Sequence, residues 1–127
     1  MQVIHPVCCG IDGHAAQLTA CLRRVSEDGQ ITTEVVEYGT TYGALVAFRS
    51  WRQAHQCPIV AIESPGVYWK PVYHGLSEAG EVHLANSREV RQRPGTKTDK
   101  RDAIWMAALL AHGLITPRVV PPPKMRA

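Results

Sequence analysis

Residues 59–62, the apolar run Ile-Val-Ala-Ile, constrain the fold more than any other part of this sequence. A short run that is apolar at every position and is followed by Glu63 is typical of a strand buried on both faces. Such strands occur in parallel sheets, where helices cover both faces and connect one strand to the next. The run therefore predicts an α/β protein with helices packed on a central sheet.

Three strands are predicted before this run and one after it. The first covers residues 7–13 and has Asp12 at its carboxyl end, the second covers 17–23 with alternating apolar positions, and the third covers 31–38. A turn signal at residues 27–29 joins the second strand to the third, so we expect an antiparallel meander. The strand after the run covers residues 81–85.

Three helices are predicted from apolar residues at helical spacing, over residues 42–55, 68–79 and from 98 or 99 to 112. The order is βββαβαβα, which predicts a mixed five-stranded sheet with packed helices. Residues 1–116 form one domain in this scheme. Residues 117–127 carry four prolines and no core pattern, so we expect an extended tail that begins a linker.

Composition excludes several classes of protein. The chain has 127 residues, 45% hydrophobic and 20% charged, and a net charge of +3 that weakly favours a polyanionic partner. No apolar run is long enough to span a membrane, and the N-terminus shows no secretory signal. The four cysteines form no C-x-x-C pair, so we expect buried, reduced thiols in a cytoplasmic protein.

Two carboxylates, Asp99 and Asp102, begin the last predicted helix. At a spacing of three residues they share one helix face, which continues through Met106, Leu109 and Leu110. Carboxylates at the edge of a core are costly unless a cation meets them. The candidates are a metal ion or neighbouring Lys and Arg side chains.

Two further acids, Asp12 and Glu63, are each predicted to end a strand. Ligand sites in open α/β sheets lie beyond the carboxyl ends of strands, so all four acids can converge there if the last helix crosses that edge. Oxygen-only ligands suit Mg²⁺ or Mn²⁺, and two such ions about 3.5–4 Å apart would act on a phosphodiester. Alternatively, each acid alone is a turn former, a helix cap or an ion-pair partner. Three of the four aspartates fall in the pattern, which favours the metal site.

Basic residues surround the acidic pair. Six of the fourteen Lys and Arg residues lie within positions 88–101, and a further lysine follows Glu63. These cations could bind a nucleic-acid backbone, although a solvated basic loop is the alternative. The predicted nucleic-acid-binding residues are Arg88, Arg91, Arg93, Lys97, Lys100, Arg101 and Lys70.

Three segments resemble a known family. Residues 10–12, 62–72 and 94–103, in this order, are similar to the N-terminal domain of bacterial DEDD transposases of the insertion-sequence "one-ten" family. The resemblance implies a RuvC-like, RNase H-type fold in which Asp12, Glu63, Asp99 and Asp102 are catalytic, metal-binding acids. It also implies DNA as substrate, a structured guide RNA, assembly into a homo-oligomer, and a second domain with a nucleophilic serine that these 127 residues do not include.

Three functions follow as hypotheses. The first is a catalytic domain of a DNA transposase or recombinase, with little activity of its own if the serine domain is required. The second is a free-standing, structure-selective nuclease of the Holliday-junction type, which needs the same acids and no serine domain. The third is a non-catalytic nucleic-acid-binding remnant.

Overall fold

The computed structural model describes residues 2–14, 17–63, 80–85 and 98–115. Within these ranges the elements are β1 (Val7–His14), β2 (Gln17–Val25), β3 (Ile31–Gly39), α1 (Tyr42–Ala54), β4 (Ile59–Glu63), β5 (Glu81–Ala85) and α2 (Asp99–Ala111). The helix predicted over residues 68–79 and the tail predicted over 117–127 lie outside the described residues. No helix in the described ranges is long and apolar enough to cross a membrane.

The strands form one mixed five-stranded sheet in the order β3-β2-β1-β4-β5. β1, β2 and β3 pair antiparallel as the predicted meander, whereas β4 pairs parallel to both β1 and β5. The first four residues of β4 are all buried, in agreement with a strand covered on both faces. The prediction of a mixed sheet built from a meander and crossover units is therefore confirmed.

The two helices within the described ranges cover opposite faces of this sheet. Leu18, Ala20 and Leu22 of β2 belong to the same core cluster as Phe48 of α1. Cys21, which points to the other face, packs instead against α2. Both faces of β2 are consequently buried, because α1 and α2 cover opposite sides of the strand.

α1 begins at a threonine cap and packs through one stripe of its surface. The Oγ1 atom of Thr41 accepts a hydrogen bond from the backbone N–H of Ala44 at 3.2 Å, which satisfies a donor of the first turn. Leu45, Phe48 and Arg52 are the buried residues of the helix. Phe48 also makes an edge-to-face contact with Tyr38 of β3, at 5.4 Å between ring centroids.

Arg52 is fully buried, which the sequence did not predict. Its Nε donates to the carbonyl of Cys57 at 3.0 Å, and one terminal nitrogen donates to the carbonyls of Pro58 at 3.1 Å and Glu81 at 2.7 Å. Burial lowers the pKa of this guanidinium from its ordinary value. The side chain thus connects the end of α1 to the starts of β4 and β5, and stabilises the edge of the sheet opposite β3.

Candidate metal site at the sheet edge

Asp12 lies in β1 on the face that α2 covers. Side chains alternate along a strand, so Asp12 shares its face with Cys8 and Gly10, both of which contact α2. Its side chain is 7% exposed. The prediction that Asp12 ends the strand is wrong, because β1 pairs with β2 as far as His14. The parallel pairing with β4, however, stops one residue before Asp12.

Glu63 is the last residue of β4 and is half-buried. The pairing between β1 and β4 ends with Ile11 opposite Ile62, so Asp12 and Glu63 are the next residue of each strand. Ile59 and Ala61, which alternate with Glu63 along β4, pack in the cluster that contains α2. Both carboxylates therefore lie on the α2 face, each one residue beyond the last paired residues of two strands that are about 4.8 Å apart where they pair.

The direction of α2 follows from its contacts with β1. The Sγ atom of Cys8 donates to the carbonyl of Ala107 at 3.5 Å, and Cys8 packs in the cluster formed by the C-terminal half of the helix. Gly10 lies further along the strand and approaches Ala103 as well as Ala107. α2 therefore runs antiparallel to β1, and its first turn is directed towards Asp12.

This first turn carries Asp102, which is half-buried. Thr98 caps the helix, since its Oγ1 accepts from the N–H of Arg101 at 3.1 Å and its carbonyl accepts from the N–H of Asp102 at 2.9 Å. Asp99 is the first residue of the helix, but its side chain lies outside the described residues. The prediction that the same helix buries Met106, Leu109 and Leu110 is confirmed.

The structure describes the side chains of three of the four predicted metal ligands. Among the residues that the structure describes, no three His, Cys, Asp or Glu side chains lie close enough together to hold a metal ion. Asp12 and Glu63 nevertheless lie near the carboxyl ends of β1 and β4, on the face that α2 covers, and the first turn of α2 directs Asp102 towards them. All three residues offer only oxygen donors. That donor chemistry fits a hard divalent cation, while the four-acid site itself stays a prediction.

The predicted basic residues divide into two groups. Lys100 and Arg101 are exposed in the first turn of α2, beside Asp102. The other predicted cations lie outside the described residues: Arg88, Arg91, Arg93, Lys97 and Lys70.

The sequence does not predict that Thr19 of β2 lies beside the candidate site. Thr19 is the Cα partner of Asp12 in the β1–β2 pairing, and its side chain is 2% exposed. A threonine in an alternating strand gives no signal of its own, because its neighbour across the sheet depends on the register. Only the paired strands reveal that this hydroxyl lies beside the candidate site.

Comparison with solved structures defines the class of fold. Thermus thermophilus RuvC superposes with a TM-score of 0.59 and 14% identity, over 88% of this chain and 99% of that one. The same protein in complex with a Holliday junction substrate gives a TM-score of 0.51 at 14% identity, with the same coverage. At such low identity the likeness concerns the fold, which is RuvC-like and of the RNase H type. No curated protein matches this chain significantly.

The family is defined by the sequence itself. The family model of the DEDD transposases of the insertion-sequence "one-ten" type, described as transposase, matches residues 9–127. The chain therefore belongs to this transposase family, as the three resembling segments predicted. The match includes Asp12, Glu63, Asp99 and Asp102.

Proposed function

We propose that this transposase domain holds one or two divalent cations, Mg²⁺ or Mn²⁺, between Asp12, Glu63, Asp99 and Asp102, and acts there on DNA phosphodiesters. The main support is the pairing of β1 with β4, whose register ends one residue before Asp12 and Glu63. The antiparallel course of α2, which directs Asp102 towards the same edge, supports it further.

Each acid has a distinct part in this proposal. Asp12 is the most buried of the three acids whose side chains are described and supplies a rigid ligand, because its strand pairs with β2 on both sides of it, as far as His14. Glu63 ends its strand, so its longer side chain can adjust to the cation. Asp99 and Asp102 belong to the first turn of α2 and are the other two proposed ligands of the cations. Bound cations would stabilise the negative charge that develops on the phosphate during phosphodiester cleavage or transfer.

We infer that DNA reaches the site along the basic segment from Arg88 to Arg101. Lys100 and Arg101 are its described members, and both are exposed next to Asp102. Phosphate contacts from such residues orient a nucleic acid without specifying its sequence. A structured guide RNA and a homo-oligomer are further proposals that rest on the family resemblance, and a cytoplasmic location is a proposal that rests on the four free, buried cysteines.

We also infer that residues 117–127 lead into a second domain that supplies a nucleophilic serine. The 127-residue domain then binds cations and DNA but cleaves little DNA by itself. This inference distinguishes the transposase from a nuclease that is complete without a partner domain.

Isothermal titration of the metal-free chain with Mn²⁺ tests the site. We expect Asp12→Asn and Asp102→Asn each to weaken Mn²⁺ binding at least about tenfold, because each removes a charged ligand. Asp28→Asn is the matched control, since Asp28 lies in the exposed β2–β3 turn and bonds to Ser26. Equal Mn²⁺ affinity in all four proteins would refute the proposed site.

A structure-selective nuclease is the second candidate. The RuvC structure with a Holliday junction substrate favours it, since that chain shares the fold over 88% of this one. Incubation of a labelled four-way junction with the chain and Mg²⁺ separates the two functions. Paired symmetric incisions that Asp12→Asn abolishes would establish the nuclease, and their absence, together with intact metal binding, would favour the incomplete transposase.

A further inference from the structure

Thr19 occupies the position next to Asp12 on the neighbouring strand. The two residues are Cα partners in the antiparallel pairing of β1 with β2. Directly opposed residues of antiparallel strands point to the same face, with Cβ atoms about 4.5–5.5 Å apart. The Thr19 side chain therefore lies beside the Asp12 side chain, on the face covered by α2.

The hydroxyl of Thr19 is buried without a partner. Its Oγ1 has no hydrogen bond in the part of the chain that the structure describes, and the residue is 2% exposed. Buried hydroxyls are nearly always hydrogen-bonded, so one that lacks a partner requires an explanation. A partner that becomes available only when a ligand binds is one such explanation.

The pairing on the opposite side of Thr19 places a second acidic residue beside it. Glu37 of β3 is the Cα partner of Thr19 on the opposite side, but its Oε2 accepts a hydrogen bond from the side-chain amide of Gln17 at 2.6 Å. Cys21, two residues along the same strand, packs against Ala103 and Ala107 of α2. Asp12 is the remaining acidic residue among the Cα partners of Thr19.

We propose that Thr19 is a positioning residue for Asp12: its hydroxyl donates a hydrogen bond to one carboxylate oxygen and leaves the other for the cation. This rests on the proposed function, because Asp12 must be a metal ligand for the hydrogen bond to have this effect. A hydrogen bond to a charged ligand orients it and strengthens metal binding. A threonine can provide it through rotation about χ1 alone, without a change in the backbone.

The test compares Thr19→Val, which replaces the hydroxyl by a methyl group of similar size, with Thr19→Ser, which keeps the hydroxyl. We expect Thr19→Val to raise the Kd for Mn²⁺ about tenfold, as is typical when a hydrogen-bond partner of a ligand is removed. Thr19→Ser should retain most of the affinity. The Tm of metal-free Thr19→Val should equal or exceed that of the wild type, since the variant removes a buried hydroxyl without a partner.

Thr33→Val is the matched control. Thr33 is exposed on the edge strand β3, opposite Arg23 and four residues from Glu37. Because it does not pair with Asp12, removal of its hydroxyl should leave the Mn²⁺ affinity unchanged. A wild-type Kd in Thr19→Val, measured alongside a weakened Asp12→Asn, would refute the role of Thr19 and leave the metal site intact. Unchanged binding in Asp12→Asn as well would refute the metal site and the role of Thr19 together.

Discussion

At the scale of single residues, burial decides which side chains can react. All four cysteines are buried and free, as the sequence predicted. Burial raises the pKa of Cys8 to about 12 and that of Cys21 to about 11, even though the charge of Arg23 acts in the opposite direction. The Cys8 and Cys21 thiols therefore stay protonated and serve as small apolar residues between the sheet and α2.

These pKa shifts predict a loss of stability in alkali. In the unfolded chain the thiols ionise near pH 9, the ordinary value, whereas Cys21 in the folded protein ionises only near pH 11. Between these values the unfolded state has lost protons that the folded state keeps, so the free energy of unfolding falls by up to about 1.4 kcal/mol per pH unit for each thiol. Urea denaturation from pH 8 to 11 measures this slope.

Cys21→Ala should reduce that alkaline slope, whatever its effect on stability at pH 7. The slope difference between the two proteins isolates this thiol from lysine and tyrosine groups that titrate in the same range. Identical slopes would contradict the assigned pKa. The thiols should also resist alkylation at pH 8 until the chain unfolds.

At the scale of elements, the contact between β1 and α2 sets the geometry of the candidate site. A methyl group added at Gly10 would lie 2.3 Å from the backbone nitrogen of Ala107 and 2.6 Å from the carbonyl oxygen of Ala103. Both are backbone atoms, which cannot move aside without a shift of the whole helix. Since β1 carries Asp12 and α2 carries Asp102, this close approach determines the separation between the two acids.

Gly10→Ala should therefore damage stability and metal binding together. We expect a loss of about 1–3 kcal/mol in the free energy of unfolding, which is typical of overpacking, and a weaker Mn²⁺ affinity because α2 moves away from β1. Urea denaturation and titration calorimetry measure the two effects.

Gly43→Ala is the control for a glycine in an open position. A methyl group there meets nothing within 4 Å, and the residue lies in the first turn of α1. We expect unchanged metal affinity and equal or slightly higher stability, since alanine favours helix more than glycine does. Equal Mn²⁺ affinity in Gly10→Ala and wild type would show that the acids are independent of this contact.

At the scale of the whole molecule, the two faces of the sheet have different roles. α1 packs on one face in a cluster with β1, β2, β4 and β5, and it builds the core. α2 packs on the other face, where Asp12, Glu63 and Asp102 reach the same edge. Lys100 and Arg101 lie at that edge as well, so we expect nucleic acid to bind on the α2 side.

Binding of a double-stranded DNA oligonucleotide at several salt concentrations tests this asymmetry. Lys100→Ala and Arg101→Ala should each weaken DNA binding. Each should also lower the slope of the logarithm of the binding constant against the logarithm of the salt concentration, by about the amount expected for one phosphate contact. Arg49→Ala, a change on α1, should alter neither quantity. Equal salt dependence in all three variants and the wild type would exclude a DNA contact at the start of α2.

The order of the described strands and helices, the family and the identity of the candidate acids could all be predicted from the amino-acid sequence. These depend on local apolar patterns and on short motifs, such as the apolar run before Glu63 or the pair Asp99 and Asp102. The family resemblance also predicted the RuvC-like fold correctly.

Which distant residues become neighbours could not be predicted from the sequence and follows from the folded arrangement of strands and helices. The extension of β1 beyond Asp12, the position of Thr19 opposite it and the burial of Arg52 all depend on strand register or on contacts between distant segments. A shift of one residue in register would turn Asp12 to the opposite face, yet it would leave every local pattern unchanged. The close contact of Gly10 with α2 is likewise set by helix packing, which no single segment of the chain specifies.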